Sequence, residues 1–235
     1  MKARHRSNWI WLACFVLACV IFWGWPELDV WVATRFYDQT GFPANRWVSV
    51  QAVYVWAPRL GWLLTAWALL VLVMRWVRPE RISRGLSRRC WAWILVAFLG
   101  NGLLVHEALK NQVGRPRPSQ VQEMGGAVPF VPALQVSQSC ARNCSFVSGH
   151  AALGFGFIAF GMWASGQGRR RWMLTGLLMG STIGLVRIVQ GGHFLSDIVF
   201  AFLAMWGSVI VIRQVWLQWR YWQLKRVAEK GGLTR

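Results

Sequence analysis

Three short stretches carry residue types that together can grip and cleave a phosphate ester: Lys110-x6-Arg117-Pro118, Ser148-Gly149-His150 and Arg187-x5-His193-x3-Asp197. Lys110, Arg117 and Arg187 supply cations that hold phosphoryl oxygens and neutralise charge developing on them. His193 and Asp197 lie four apart, so at the start of a helix they share one side and the carboxylate can orient the imidazole. An oriented, neutral imidazole is a competent nucleophile, and His150 can then protonate the departing oxygen. Ser148-Gly149 has the character of a helix opening: serine caps, glycine lets a ligand approach the backbone, and the first-turn N–H groups attract an anion. Each residue alone has a plainer role, as a capped helix end or a polar side chain snorkelling at a membrane surface. The catalytic reading depends on all of them meeting at one place.

The elements that must position them are read from the apolar runs. Among 235 residues, 55% are apolar and only 14% charged. Long apolar runs signal membrane-spanning helices, because lipid offers no partner for backbone groups and a helix satisfies its own. Spans are expected at roughly 9 to 25, 53 to 74, 91 to 109, 147 to 165, 172 to 190 and 197 to 217. The fold class is therefore all-α, a polytopic bundle of about six helices in a single domain covering 1–235, its motif-bearing core at about 91–217. Pro58-Arg59 interrupts the second run. Arg59 is expected to snorkel, the other reading being a separate interfacial helix around 47–57. The first run continues past Cys19 through Trp23, so it is expected to stay as a span and not to be cleaved as a signal peptide.

Basic residues alternate with these spans. The formal net charge of +18 does not follow one face as a polyanion footprint requires, so no nucleic-acid partner is expected. Lys2, Arg4 and Arg6, the arginines from Arg75 to Arg89, Arg169 to Arg171, and Arg213 to Lys230 all fall on one side of a six-span plan. The positive-inside rule makes that side cytoplasmic, with both termini inside. On the opposite side the first loop sets Glu27, Asp29 and Asp38 against Arg35 and Arg46, whereas the second is basic, with Lys110, Arg115, Arg117 and Arg142. That exception coincides with the first motif. All three motifs are expected to reach the same outer face, a placement that follows from the spans and the basic loops alone.

Most of the 18 tryptophans, among them Trp9, Trp11, Trp23, Trp25, Trp91, Trp93 and Trp172, sit near expected span ends, where the headgroup layer suits an amphipathic ring. Trp62 and Trp67 fall inside the second span and are expected to pack between helices. Cys140 and Cys144 lie in the second outer loop, where their spacing permits a disulfide without requiring one. Cys14, Cys19 and Cys90 are expected to be unpaired.

The motifs together resemble the type 2 phosphatidic acid phosphatase superfamily, which includes bacterial lipid phosphatases and vanadium haloperoxidases. Its pattern is Lys-x6-Arg-Pro, Pro-Ser-Gly-His and Ser-Arg-x5-His-x3-Asp. Lys110, Arg117 and Pro118 match the first motif, Ser148, Gly149 and His150 the second, and Arg187, His193 and Asp197 the third. Val147 stands for the family's proline and Val186 for its serine. Arg115-Pro116 duplicates the Arg-Pro signature at too short a spacing, which leaves Arg117 on the phosphate and Arg115 as a secondary contact. The resemblance implies a haloperoxidase-like core and a phosphohistidine at His193, resolved by water with His150 as base. It implies no metal and no cofactor. Nor do the four histidines suggest a metal set, since His5 and His106 are distant in sequence from the others; His106 and Glu107 are expected to pack or lie at the interface.

The implied substrate is an amphiphile in the bilayer whose phosphate projects into the aqueous layer. The Cys-bearing loop followed by Ser145 to His150 is similar to that of bacterial lipid A phosphatases in this family. Undecaprenyl pyrophosphate and phosphatidylglycerol phosphate are further candidates. The other functional readings are a lipid phosphotransferase using the same intermediate and a non-catalytic protein that docks anionic lipid. The expected location is a bacterial inner membrane with the site on the periplasmic or extracellular face.

Overall fold

A computed structural model describes residues 2–232. Among the described residues, seven α-helices account for most of the fold: α1 (Lys2–Gly24), α2 (Glu27–Thr34), α3 (Val48–Val77), α4 (Arg84–Leu95), α5 (Gly149–Phe155), α6 (Gly166–Val189) and α7 (Leu195–Gly232). A π-helical stretch, Val96–Lys110, continues α4 without a break, and a 3-10 stretch, Gly156–Gly161, continues α5. Among the described residues there is no strand, only two isolated bridges. Five of the helical segments are long and apolar enough to cross a membrane: Ser7–Gly24, Val48–Val77, Arg84–Lys110, Gly166–Val189 and Leu195–Val227. The expected fourth span is the shorter apolar segment Gly149–Gly161, which begins and ends inside the limits read from sequence.

Pro58 lies within α3 and does not divide it. Arg59 remains exposed, its guanidinium 5.2 Å from the Trp56 ring, so the stretch around 47–57 belongs to the spanning helix. Unforeseen was α2, a short helix between the first two spans with Asp29 and Ala33 buried on one face.

In lipid the hydrophobic effect does little to bring helices together, and small residues that let backbones approach take over. On α6, Gly176, Gly180 and Gly184 recur every four residues. A Cβ on Gly154 of α5 would lie 2.7 Å from the Cα of Gly180, so these two helices meet backbone to backbone. α5 is the hub, packed against α3, α6, α7 and the π-helical stretch. α7 is the most enclosed of the long helices, with 61% of its apolar window buried against 11% for α1 and α3. Trp62 and Trp67 depart from expectation: they are 76% and 46% exposed on α3 and face outward. Trp93, expected near the interface, is instead core, stacked on Phe160 and donating from Nε1 to Thr65 Oγ1 at 3.0 Å.

Three of the arginine-rich segments lie at one end of the bundle. Trp163 donates to the carbonyl of Arg88, and Arg169 donates to Ser7 Oγ, which ties the α4 start, the α5–α6 connection and the α1 start together. The side chains of Lys2, Arg4, His5, Arg6 and Lys230 lie outside the described residues. The motif residues collect at the other end.

Candidate active site

Three backbone hydrogen bonds stitch the motifs together. Ser145 N donates to Arg115 O at 2.8 Å, Ser148 N to Asp197 O at 3.2 Å, and Ser119 N to Gly191 O at 3.1 Å. The segments that follow the π-helical stretch, precede α5 and join α6 to α7 therefore form one surface. Side chains distant in sequence are held at short range by these main-chain links.

Asp197 opens α7 and is fully buried. Its Oδ1 accepts from Arg115 Nη1 at 2.7 Å; its Oδ2 accepts from Ser145 Oγ at 2.5 Å and Phe194 N at 2.8 Å. His193 Nδ1 lies 3.4 Å from the same Oδ2. That contact is longer than a well-directed hydrogen bond, and both ring nitrogens of His193 are buried without a hydrogen-bond partner. Such contacts commonly tighten only when substrate is bound. Burial holds the His193 imidazole well below its ordinary value, down to about 3, against the opposing pull of the Asp197 carboxylate. It is therefore neutral at neutral pH, with Nε2 the nitrogen turned away from Asp197.

Lys110 ends the π-helical stretch and Arg187 lies in the last turn of α6; both are buried. Each acts electrostatically on both His150 and His193, and Arg117 acts on His150 as well. Arg117, the least buried of the three cations, donates from Nη2 to the carbonyl of Asn143 at 2.9 Å. Asn143 sits between Cys140 and Cys144, which are joined by a disulfide with their Cα atoms 5.7 Å apart. Cys14, Cys19 and Cys90 are free.

Ser148 is the N-cap of α5, its Oγ accepting from Ala151 N at 3.4 Å. Gly149 allows a side chain, and not only a ligand, to come close: a Cβ there would lie 2.7 Å from Nε2 of His106. His106 thus borders the motif residues, contrary to the separation its place in sequence suggested. Gly192 serves Arg187 similarly, since a Cβ on it would lie 2.2 Å from the guanidinium.

Arg115 does not occupy the place expected of it. It is fully buried, with Nη2 donating to Asp29 Oδ2 at 2.8 Å, Nη1 to Ser196 Oγ at 2.8 Å and to Asp197, and Nε to Val131 O at 2.8 Å. The Phe194 ring covers it at 4.3 Å. All three of its nitrogens are engaged, so it bridges two carboxylates inside the protein and does not line the polar pocket beside Arg117 and Arg187. The second of these, Asp29 of α2, accepts from Ser196 N at 2.8 Å and Ser196 Oγ at 2.5 Å. Burial pushes the Asp29 carboxyl up, and the Arg115 guanidinium opposes that rise. Asp29 went unnoticed in sequence because it was counted in a near-neutral loop. Its place in an otherwise apolar Leu28-Asp29-Val30 run was the available signal.

Tyr54 of α3 was also missed. Its ring stacks on His150 at 5.0 Å between centroids, and the Arg187 guanidinium lies 4.6 Å from it. Tyr54 differs from the tryptophans of that helix only in type, and its place in sequence gave no sign of a contact with His150. Among the described residues, no group of three or more His, Cys, Asp or Glu is arranged to hold a metal ion.

An α-helical membrane bundle with this arrangement at one end matches the PAP2 superfamily model over residues 90–221, more than half of the chain, and the chain belongs to that family. The chain is 27% identical to a lipid A 4'-phosphatase of Francisella tularensis subsp. novicida (strain U112), over 86% of this chain and 91% of the relative. It is 26% identical to lipid A 4'-phosphatases of Rhizobium etli, over 83% and 80%, and of Rhizobium leguminosarum, over 83% and 88%. No solved structure matches it.

Proposed function

We propose that this chain, a membrane lipid phosphatase by its family and relatives, removes a phosphate monoester from a lipid A-type glycolipid through a phosphohistidine at His193. The observation that carries the reading is the setting of His193: Nδ1 faces the Asp197 carboxylate at 3.4 Å, Nε2 has no partner, and Lys110 and Arg187 both bear on the ring. Nε2 attacks phosphorus, a P–N bond forms, and the bond from phosphorus to the lipid oxygen breaks. That oxygen takes the proton of His150, whose protonated form is favoured by a phosphate dianion beside it. His150 then accepts a proton from water as the water attacks phosphorus, which releases inorganic phosphate and restores His193. Lys110, Arg117, Arg187 and the N–H groups behind Ser148 and Gly149 hold the phosphoryl oxygens throughout. The three cations supply the positive charge the reaction needs, so the activity is proposed to be metal-independent. Because Nε2 is enclosed, the phosphate enters by displacing a neighbouring side chain, and Arg117 is the least buried candidate.

An apolar groove of about 580 Å³ between α3, α5 and α6 supports an amphiphilic substrate. Ala57, Leu153 and Ile183 in its lining each lie about one helical turn from Tyr54, His150 and Arg187. A lipid with its phosphate at the cations therefore has a place for an acyl chain. We further propose that 1–235 forms one unit built on a 91–217 core. The arginine-rich end then lies in the cytoplasm with both termini, and the site faces the periplasm of a bacterial inner membrane.

The test is phosphate release by purified protein from lipid A, undecaprenyl pyrophosphate, phosphatidylglycerol phosphate and phosphatidic acid, in the presence of a chelator. Release from lipid A that vanishes in a folded His193→Ala variant is expected. Unchanged release by that variant rejects the nucleophile, and phosphate appearing on a lipid acceptor in place of free phosphate identifies a transferase.

A further inference from the structure

Beside Arg117 and Arg187 lies a polar chamber of about 320 Å³, separate from the apolar groove. Arg117 and Arg187 line it together with Asn45, Gln51, Gln190 and Ser119, and Tyr54, Gly191 and Gly192 complete the walls. Its size corresponds to roughly ten water molecules, enough for one sugar ring. Its amides form a relay. Arg187 Nη1 donates to Gln190 Oε1 at 2.5 Å, Gln190 Nε2 donates to Asn45 Oδ1 at 3.3 Å, and Gln51 Nε2 donates to Asn45 O at 2.6 Å and Asn45 Oδ1 at 3.0 Å. Among the described residues, this leaves the Asn45 side-chain nitrogen and Gln51 Oε1 without a protein partner.

We propose that this chamber is a subsite for the sugar ring that bears the scissile phosphate, with Asn45 and Gln51 reading its hydroxyl or amide groups. The proposal rests on the glycolipid phosphatase reading above and names the residues that make the enzyme selective for it. Apart from the two arginines, the walls carry no charge. A second phosphate would find no additional cation, and an acyl chain would strip water from four polar side chains without replacing their hydrogen bonds. Neutral amides, each both donor and acceptor, suit hydroxyl and amide groups. Asn45 comes from the short turn Pro43–Arg46 and Gln51 from the first turn of α3, so the segment between α2 and α3 sets the selectivity. Gln190 differs from these two because it also holds Arg187.

The test compares two constants in wild-type, Asn45→Ala, Gln51→Ala and Gln190→Ala proteins: KM for lipid A, and the inhibition constant of inorganic phosphate, which probes the cations alone. Asn45→Ala and Gln51→Ala are expected to raise KM about tenfold each, the equivalent of one hydrogen bond near 1.4 kcal/mol, with phosphate inhibition unchanged. Gln190→Ala is expected to weaken both. Equal shifts in the two constants for Asn45→Ala and Gln51→Ala, or no shift in KM, overturn the subsite while leaving the phosphatase reading intact. Wild-type protein that releases no phosphate from lipid A overturns both.

Discussion

Replacing Arg115 by methionine tests whether the buried ion network positions His193, the proposed nucleophile, or only holds the fold. Arg115 is fully buried and donates to the carboxylates of Asp29 and Asp197, to Ser196 Oγ and to Val131 O. Methionine fills much of the volume but leaves two carboxylates facing one another away from water. Losing one partner of a buried pair costs about 3–5 kcal/mol, and two hydrogen bonds to charged groups at about 1.5–3 kcal/mol each give about 3–6 kcal/mol, which overlaps it. At about 2–4 °C per kcal/mol for a chain of this length, the melting temperature in detergent should fall by about 10 °C. Turnover should fall about a hundredfold or more, the low end of what a misplaced acid–base pair costs. Arg115→Met with Asp29→Asn separates the two roles. It removes one carboxylate charge and keeps an acceptor for Ser196 N, so about half of the lost stability should return. Asp197 still lacks its cation, however, so turnover should stay low. A double variant whose turnover recovers with its melting temperature would show that the network matters for folding alone. An Arg115→Met protein as stable and active as wild type would refute the network altogether.

Two further outcomes follow from the site. His193 has its folded-state value depressed from 6.5 to about 3 by burial, so the stability tied to its neutral form is present above pH 6.5 and is lost as pH falls from there toward 3. Melting temperatures measured from pH 7.5 down to 4.5 should drop more steeply for wild type than for His193→Gln, the difference approaching roughly 1.4 kcal/mol per pH unit; parallel profiles contradict the burial argument. Replacing Cys140 and Cys144 by serine removes a short-loop constraint worth about 2 kcal/mol and loosens the Asn143 carbonyl that Arg117 donates to. KM should rise several-fold with kcat little changed, and a collapse of kcat at constant KM would disprove that link.

Motif residues were legible in this sequence because charged and imidazole side chains in a lipid-embedded chain are costly and persist only where they are paired or used. Lys110, Arg187, His193 and Asp197 stand out from apolar surroundings for that reason, and their spacing led to the expectation that they meet at one place. The residues that support them did not stand out. Tyr54 lies among other aromatics on α3, and what singles it out is the approach of α3 to α5 and α6, which brings its ring between His150 and Arg187. The spans were likewise legible as runs of a given length, but which face of each turns inward was not. A helix apolar on all sides carries no stripe to mark its buried face, so Trp62 and Trp67 read as packing residues and prove to be exposed.

Arg115 shows the same limit acting on a charged residue. Its position two residues before Arg117 suggested a shared task, but where the chain turns after the π-helical stretch decides which of the two points outward. Arg115 turns inward to the acid of α2, and that pairing depends on a short helix the sequence did not announce. The duplicated Arg-Pro signature thus divides its labour. One arginine meets the polar chamber and the other anchors the carboxylate behind His193, the proposed nucleophile, so Arg115→Met and Arg117→Met should fail differently, the first mainly in stability and kcat and the second mainly in KM.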